Sequence, residues 1–183
     1  MILGTKNFEI SGVKLFSIKS YEDDRGVFSE VYLSKLDHPE FKIEYVQENE
    51  SISNFGVFRG MHLQKGSHSQ SKLIRVVKGK IIDVICDLRK SSPSFKKIIF
   101  IELNPNQLLF LPKGLAHGFL SLEEGSILNY KCDNFYNQSS ESGFNLFKNK
   151  VETDFPLVSG DISMSIKDKS LPDLDNSYIY EEL

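Results

Sequence analysis

A succession of short β-rich runs constrains the fold of this chain more than any other feature. Between residues 13 and 131 these runs are rich in Val, Ile, Leu, Phe and Tyr, and they are separated by Gly, Asn, Pro and Ser. Such a pattern is typical of antiparallel strands joined by turns. A single domain with so many short strands is a sandwich or a jelly roll, whose open end can hold a small ligand.

The individual elements can be assigned from the same pattern. Strands are predicted at residues 13–19, 26–33, 43–49, 72–78, 80–89, 96–103, 107–112, 116–122 and 126–131. Only residues 34–41 and 141–149 have features of short helices. After about residue 154 the sequence becomes irregular and polar, so we expect one domain over residues 1–183 whose C-terminal part wraps over the sheets.

Length, charge and cysteine content narrow the class of protein. A chain of 183 residues is long enough to bury one core without disulfides. Its net charge of −3 argues against nucleic-acid binding through a basic surface and favours a small anion held in a local pocket. Cys86 and Cys132 lie far apart in the chain and are expected to be free thiols. Neither a signal peptide nor a membrane span is recognisable, so we expect a cytoplasmic protein.

Residues 57–73 carry the side chains that suggest chemistry. The stretch VFRGMHLQKGSHSQSKL contains Arg59, His62 and Lys72 between two β-rich runs, without the spacing of metal ligands. In a strand, Lys72 shares its face with Ile74 and Val76, so a cation enters a largely apolar pocket. A base and a cation in such a pocket indicate chemistry on a carbonyl compound.

Strand alternation also predicts which other polar side chains face the interior. Asp83 and Tyr130 each fall on a face that they share with aliphatic side chains. Ideal alternation places Arg59 and His62 on opposite faces of their strand, however. Both reach one pocket only if the strand bends, and Gly60 between them is suited to supply that bend.

A series of motifs, in this order and spacing, resembles one known family. The motifs are DRGVFSE at residues 24–30, QENES at 47–51, FRGMH at 58–62, QSKL at 70–73, DVICDLRKSSPSF at 83–95, LPKGLAHGF at 111–119, NYK at 129–131 and SIKD at 165–168. Over residues 10–175 the chain resembles the dTDP-4-dehydrorhamnose 3,5-epimerases, isomerases of deoxysugar synthesis. It departs from them with Phe147 and Phe155 where Trp is usual, and with Leu63 where Tyr or Phe is usual. The resemblance implies an all-β fold, a cupin-type jelly roll with a few short helices.

The resemblance also implies a reaction, the inversion of C3, C5 or both in a dTDP-linked 4-keto-6-deoxyhexose, without cofactor or metal. Protons beside a C4 ketone are acidic enough for a side-chain base if the enolate oxygen is stabilised. His62 is the expected base, and Asp168 is expected to orient its ring. Lys72 is expected to stabilise the enolate, and Tyr130 to be the acid on the opposite face. The groups expected to support them are Asp83 and His117.

Substrate contacts implied by the resemblance involve the diphosphate, the nucleotide and the sugar. Those assigned to the diphosphate are Arg25, Arg59 and Lys167. Those assigned to the nucleotide or the sugar are Gln47, Asn49, Phe28, Glu30 and Tyr136. Arg25, Phe28 and Glu30 are expected to reach in from a partner subunit, which predicts a homodimer whose N-terminal strands complete the neighbour's site.

Two other classes of protein and one variant of the reaction remain open. A metal-dependent cupin is suggested by PKGLAH at residues 112–117, but Leu63 and Gln64 follow His62 where a second histidine ligand is needed. A non-catalytic sugar-binding module would have no need of an acid and a base on opposite faces. A single-centre epimerase or a ketoisomerase, acting on a related nucleotide sugar, is compatible with the same residues.

Overall fold

The computed structural model describes residues 2–34, 36, 38–149 and 162–181, which contain thirteen strands. In chain order these are β1 (Ile2–Asn7), β2 (Lys14–Ile18), β3 (Ser20–Asp23), β4 (Gly26–Ser29), β5 (Gln47–Ser53), β6 (Phe58–Gln64), β7 (Lys72–Lys78), β8 (Ile81–Asp87), β9 (Ile98–Leu103), β10 (Gln107–Leu111), β11 (Leu115–Ser121), β12 (Ser126–Cys132) and β13 (Glu141–Gly143). The described helices are α1 (Ile166–Ser170) and short 3₁₀ helices at Pro39–Phe41, Gly66–His68, Gln138–Ser140 and Leu146–Lys148.

The strands form two large sheets and one separate hairpin. The first sheet has six strands in the order β1-β2-β10-β7-β12-β5, and the second has five in the order β13-β6-β11-β8-β9. Strands β3 and β4 pair with each other as a two-stranded sheet. The pairing within the sheets is antiparallel. The predicted fold class, an all-β jelly roll with a few short helices, is confirmed.

The main core lies between the two large sheets, because each turns apolar side chains toward the other. Ile74 and Leu128 of the six-stranded sheet pack with Ile81 and Ile85 of the five-stranded sheet, and Tyr130 is partly buried against the same cluster. Burial of an aliphatic side chain of this size contributes about 1.5–3 kcal/mol. The alternation predicted for β7, β8 and β12 is therefore confirmed.

The outer face of the five-stranded sheet is covered by the C-terminal region. Val84 and Leu120 belong to a buried cluster on this face, and Met164, Leu174 and Tyr178 pack against it. Residues 150–161, where the predicted wrapping begins, lie outside the described residues. The extent of the single domain therefore stays a prediction.

A bulge in β6 supplies the bend that the sequence required. Phe119 of β11 pairs with Arg59, and His117 pairs with His62, so β6 has one residue more than β11 between these two points. Gly60 adopts a φ of +131° at this place, and a Cβ atom there would lie 2.5 Å from the Cα of Gly118. A side chain is therefore excluded from Gly60, and the prediction that it allows Arg59 and His62 to share a pocket is confirmed.

The observed elements differ from the predicted ones mainly at their ends. The strand predicted at residues 26–33 ends at Ser29, and the strand predicted at 43–49 begins at Gln47 and continues to Ser53. The helix predicted at 141–149 is wrong, because residues 141–143 pair with β6 and only Leu146–Lys148 form a 3₁₀ helix. Pairing with a neighbouring strand satisfies the backbone groups that a helix would have satisfied locally. Strands β1 and β3 and helix α1 were not predicted.

The two cysteines are buried and free, as predicted. Burial raises the pKa of Cys86 to about 12, so its thiol stays protonated and behaves as a small apolar side chain. Within the described ranges, no helix is both long enough and apolar enough to cross a lipid bilayer.

Candidate active site

A cavity of about 700 Å³ opens between the two large sheets, within the roughly 300–1,000 Å³ range of small-molecule sites. Strands of both sheets and helix α1 contribute side chains to its lining. The predicted site residues that line it are Gln47, Asn49, Arg59, His62, Lys72, His117, Tyr130, Tyr136, Lys167 and Asp168. We call the lining side chains of the six-stranded sheet the six-stranded wall, and those of the five-stranded sheet the five-stranded wall.

His62 of the five-stranded wall forms a hydrogen-bonded pair with Asp168 of helix α1. The ring Nε2 of His62 lies 2.8 Å from Asp168 Oδ1, and the N–H of Gly60 donates to Asp168 Oδ2 at 3.4 Å. Burial by itself raises the pKa of Asp168, but the bonds from His62 and Gly60 hold that pKa below its ordinary value. A carboxylate that accepts from Nε2 selects the His62 tautomer with an unprotonated Nδ1, which is able to take up a proton.

Helix α1 explains how Asp168 reaches a strand that is distant in sequence. Ser165 precedes the helix, and its side chain accepts a hydrogen bond from the N–H of Asp168 at 3.0 Å. This serine cap fixes the first turn, so that the buried Asp168 side chain, 6% exposed, meets His62. The S-x-x-D pattern at residues 165–168 is the local signal from which the helix could have been predicted.

A second pair joins His117, a buried lining residue, to Asp83, which is fully buried and does not line the cavity. His117 Nε2 lies 2.7 Å from Asp83 Oδ2. Burial lowers the pKa of His117 and raises that of Asp83, while the attraction between the two opposes both shifts. Lys72 also attracts the Asp83 carboxylate and opposes the rise in its pKa. Asp83 is therefore placed to act on Lys72 through electrostatics rather than by contact with a ligand.

Lys72 and Tyr130 lie on the six-stranded wall. Lys72 Nζ is 5.8 Å from the centroid of the Tyr130 ring, within the range of a cation–π contact. Burial lowers the pKa of Lys72 and raises the pKa of Tyr130, so the phenol stays protonated at neutral pH. Because His62 lies on the other sheet, it faces Lys72 and Tyr130 across the cavity.

Gln47 and Asn49 form a polar corner of the six-stranded wall. The side-chain amide of Gln47 donates to Asn49 Oδ1 at 3.0 Å, and its carbonyl oxygen accepts from the N–H of Tyr136 at 2.8 Å. The Tyr136 side chain is half-exposed beside them. This corner offers amide groups for hydrogen bonding and an aromatic ring on which a nucleotide base can stack.

Glu141 is a cavity residue that the sequence did not single out. It accepts from Lys167 Nζ at 2.7 and 2.6 Å, and from the hydroxyl of Tyr136 at 2.6 Å. Burial by itself raises the pKa of Glu141, but the bonds from Lys167 and Tyr136 lower it below its ordinary value. Glu141 thus joins two predicted substrate-binding residues from separate segments, and no local sequence pattern marks it.

Arg59 and Lys167 are the predicted diphosphate-binding cations that lie at the cavity. The guanidinium of Arg59 donates from Nε to Ser53 Oγ at 3.0 Å and from Nη2 to the carbonyl oxygen of Ile52 at 3.2 Å. The Lys167 side chain is 60% exposed and is bonded to the Glu141 carboxylate. Two cations at the edge of a cavity suit an anionic ligand.

Arg25, Phe28 and Glu30 do not reach the cavity of their own chain. Arg25 lies at the tip of the β3–β4 hairpin, where its exposed side chain is bonded to Asp23. Phe28 is 68% exposed on β4, and Glu30 is exposed just beyond that strand. The structure therefore separates these three from the other predicted site residues, as a contribution from a partner subunit would require.

The donor groups of the cavity do not resemble a metal centre. Within residues 2–34, 36, 38–149 and 162–181, no three His, Cys, Asp or Glu side chains are grouped closely enough to hold a metal ion. The two cavity histidines are instead each bonded to a carboxylate. Independence from metals and cofactors stays a prediction.

Two of the three unusual apolar residues lie near the cavity. Leu63 is buried and contributes to its lining. The Phe147 ring packs edge-on against Phe58, another lining residue, with ring centroids 5.1 Å apart. Phe155 lies outside the described residues. Leu63 thus bears on the shape of the cavity directly, and Phe147 does so through its contact with Phe58.

Comparison with known proteins shows the family to which the chain belongs. Residues 7–176 match the family model described as dTDP-4-dehydrorhamnose 3,5-epimerase. The chain belongs to this family. Membership makes the protein an isomerase of the epimerase kind, and it confirms the resemblance inferred from the motifs.

Three relatives illustrate the match. The chain is 37% identical over 171 residues to dTDP-4-dehydrorhamnose 3,5-epimerase of Escherichia coli strain K12, covering 91% of this chain and 92% of the relative. A dTDP-6-deoxy-D-glucose-3,5-epimerase from Legionella pneumophila, solved in complex with dTDP-4-keto-L-rhamnose, aligns with a TM-score of 0.87 and 32% identity over 94% of this chain and 93% of the other. A 3'-monoepimerase from Streptomyces bikiniensis, in complex with dTDP-quinovose, aligns with a TM-score of 0.83 and 25% identity over 92% and 86%.

Proposed function

We propose that this epimerase inverts C3 and C5 of dTDP-4-keto-6-deoxyglucose to give dTDP-4-keto-L-rhamnose, by proton transfer through an enolate and without cofactor or metal. The observation that carries the proposal is the placement of a base candidate and an acid candidate on opposite walls. Inversion requires that a proton leave one face of the carbon and arrive at the other. His62 on the five-stranded wall and Tyr130 on the six-stranded wall meet that requirement.

His62 acts as the base in this mechanism. Asp168 holds its Nε2, so Nδ1 accepts the proton from the carbon beside the ketone, and the carboxylate stabilises the imidazolium that forms. Tyr130 then donates its phenolic proton to the opposite face of the same carbon. Burial supports this role, since it raises the pKa of Tyr130 and keeps the proton on the phenol until it is transferred to the carbanion.

Lys72 stabilises the negative charge that develops on the ketone oxygen. A buried ammonium interacts with an oxyanion more strongly than a hydrated one does, because little water screens it. Its pKa is lowered by burial, while the attraction of Asp83 and Glu141 favours the charged form. Asp83 supports the site because its carboxylate attracts the Lys72 ammonium, and His117 supports it because it is bonded to Asp83.

The nucleotide end of the substrate is held by the polar rim of the cavity. Arg59 and Lys167 bind the diphosphate, whose paired anionic oxygens suit two flanking cations. Gln47 and Asn49 hydrogen-bond to the nucleotide or the sugar, and Tyr136 stacks on the base. The dTDP-linked sugar bound to the Legionella pneumophila relative supports this class of substrate.

The decisive experiment follows C3 and C5 separately. The protein is incubated in heavy water with dTDP-4-keto-6-deoxyglucose, and deuterium uptake and configuration at each carbon are monitored by NMR. We expect deuterium at both carbons and the L-rhamno configuration in the product. Absence of exchange at both carbons would show that the reaction is not epimerisation of this substrate.

A single-centre epimerase is the second candidate. The alignment with a 3'-monoepimerase at a TM-score of 0.83 favours it, because a closely similar fold in that protein accompanies inversion of one centre. The same NMR measurement separates the candidates, since exchange confined to C3 or to C5 would identify a single-centre enzyme. A ketoisomerase would instead move the carbonyl group and give a different carbon spectrum.

We also propose that the protein works as a cytoplasmic homodimer in which the β3–β4 hairpin completes the neighbour's site. The exposure of Tyr21, Val27 and Phe28 on this hairpin supports the idea, as does the absence of Arg25 from the lining of its own chain's cavity. Arg25 would then join the partner's diphosphate site, with Glu30 and Phe28 near the sugar and the nucleotide.

Subunit mixing tests the shared site. The Arg25→Ala and His62→Asn variants are each expected to be strongly impaired alone, because both sites of such a homodimer lack a required side chain. After subunit exchange, a mixture should regain about one quarter of wild-type activity, since half of the dimers are mixed and one of their two sites is intact. Failure to regain activity when mass spectrometry shows mixed dimers, or full activity of a monomer, would exclude the shared site.

A further inference from the structure

Ser51 carries a buried hydroxyl group for which the described residues provide no hydrogen-bond partner. Three buried side-chain oxygens share this property, namely Glu40 Oε2, Ser51 Oγ and Asp83 Oδ1. The two carboxylates each use their other oxygen, Glu40 with Lys14 and Asp83 with His117. Ser51 has a single side-chain oxygen and therefore has no such compensation.

Ser51 is also the one of these three residues that lines the cavity. It belongs to β5, where alternation points Gln47, Asn49 and Ser51 inward and leaves Glu48 exposed. A buried hydroxyl without a partner is unfavourable, so such groups in cavities are commonly satisfied by a ligand or by water. The hydroxyl is thus poised for a hydrogen bond that the protein itself does not make in the described residues.

The pairing of β5 fixes the level of Ser51 within the cavity. Asn49 lies opposite Tyr130 on β12, and Ser51 follows two residues later, opposite Leu128. Two residues further on, the Ser53 hydroxyl accepts a hydrogen bond from Arg59. Along this wall, Ser51 therefore lies between the level of the acid and the level of a diphosphate-binding cation.

We infer that the Ser51 hydroxyl binds the C2 hydroxyl of the sugar, an inference that rests on the proposed function. In a 4-keto-6-deoxyhexose the reacting carbons C3 and C5 flank the ketone, and C2 joins C3 to C1, which carries the diphosphate. The C2 hydroxyl thus lies between the reacting carbons and the diphosphate, as Ser51 lies between Tyr130 and Arg59. A neutral hydroxyl, which both donates and accepts, matches another neutral hydroxyl.

The reaction does not alter the C2 hydroxyl, and this determines how loss of the Ser51 contact should affect KM and kcat. A contact made equally to the bound substrate and to the transition state changes KM and leaves kcat nearly constant. Ser51 is therefore a specificity-determining residue that selects sugars with an oxygen at C2. A structural role for Ser51 would not distinguish between substrates that differ only at this carbon.

The test combines one variant with one altered substrate. Wild-type protein and Ser51→Ala are each assayed with dTDP-4-keto-6-deoxyglucose and with its 2-deoxy counterpart. With the first substrate we expect Ser51→Ala to lose about 2- to 13-fold in kcat/KM, mainly through KM, as for one neutral hydrogen bond. With the 2-deoxy substrate the two proteins should be equal. Ser17→Ala, an exposed serine on β2 outside the cavity, is the matched control and should behave as wild type.

Three results would overturn the inference. One is an equal loss with both substrates, which indicates a structural effect, and another is no loss with either. The third is weaker binding of dTDP alone to Ser51→Ala, measured by calorimetry, which would assign the contact to the diphosphate. If wild-type protein turned over neither substrate, the proposed function itself would fail, and the Ser51 contact would fall with it.

Discussion

The two walls of the cavity hold their ionisable side chains in different ways. On the five-stranded wall, His62 is bonded to Asp168 at 2.8 Å and His117 to Asp83 at 2.7 Å. On the six-stranded wall, neither Lys72 nor Tyr130 is held by a side-chain hydrogen bond in the described part of the chain; the contact between them is a cation–π contact at 5.8 Å.

This difference matches what each group must do. A base acts well when its tautomer and its orientation are fixed before the substrate arrives, and a carboxylate provides both. An electrophile and an acid act on atoms of the substrate, so a strong internal hydrogen bond would compete with catalysis. The contrast therefore suggests that one wall is preorganised by the protein and that the other is completed by the ligand. The hydroxyl of Ser51, on the same wall as Lys72, fits this pattern.

The largest effect is expected from removing the preorganised base. His62→Asn should reduce both deuterium exchange and epimerisation by about 10²–10⁴-fold or more, because no proton can leave the carbon. The control is His68→Asn, which changes a histidine that does not line the cavity and should keep its activity. Exchange that persists in His62→Asn would assign the base to another residue.

Removing the acid from the opposite wall should give a different result. In Tyr130→Phe the base still works, so solvent deuterium should enter at one or both carbons beside the ketone. Inversion should slow by about 10²–10⁴-fold, since the well-placed donor that remains lies on the original face. Exchange and inversion are followed in the same NMR experiment. Equal loss of both, or loss of neither, would contradict the assignment of Tyr130 as the acid.

Replacement of Lys72 should reveal the cost of its burial to the stability of the fold. Burial lowers its pKa in the folded state, so in the alkaline range the unfolded chain binds more protons than the folded one, and stability should rise with pH toward the ordinary lysine value. Lys72→Met should therefore lose activity and gain stability at pH 7, with Tm higher by about 2–4 °C for each kcal/mol of relieved cost.

The pH dependence of this gain is its check. The difference in Tm between Lys72→Met and wild type should shrink from pH 7 to pH 10, because the wild-type lysine loses its buried charge. Lys78→Met on the same strand is the control, since Lys78 is exposed and should show no such trend. A lower Tm for Lys72→Met across the whole range would show that the buried ammonium stabilises the fold.

The smallest effect is expected from chelation. If Lys72 is the electrophile, turnover should be unchanged after exhaustive dialysis against EDTA, as judged by the same assay with metal content measured in parallel. Loss of turnover that a divalent ion restores would show that a metal, rather than Lys72, is the electrophile. The proposed difference in role between the two walls would then be wrong.

The sequence predicted the inward-facing residues of regular strands well. In β7, β8 and β12 successive side chains point to opposite faces, and the face turned toward the other large sheet is mainly apolar, so Lys72, Asp83 and Tyr130 could be assigned to the interior from local pattern alone. The bend at Gly60 was also predictable, because Arg59 and His62 could meet only if the strand departed from alternation.

What the sequence did not predict depends on contacts between distant segments. Glu141 matters because Lys167 and Tyr136 converge on it, and no short window contains that information. The helix expected at residues 141–149 fails for the same reason, since Gly143 pairs with His62 of β6 and its backbone is committed to the sheet. The unpaired state of the Ser51 hydroxyl is likewise a property of the packed wall.

The extra residue in β6 makes the length of this strand a functional variable. Deleting one residue at positions 60–61 would restore a regular ladder with β11 and turn either Arg59 or His62 away from the cavity, although every other strand kept its register. A one-residue gap there, in an alignment or in a redesigned jelly roll, would therefore move a side chain of the site. A gap in a surface loop would not. Anyone transplanting this chemistry to another β-sandwich would have to carry the bulge along with the side chains.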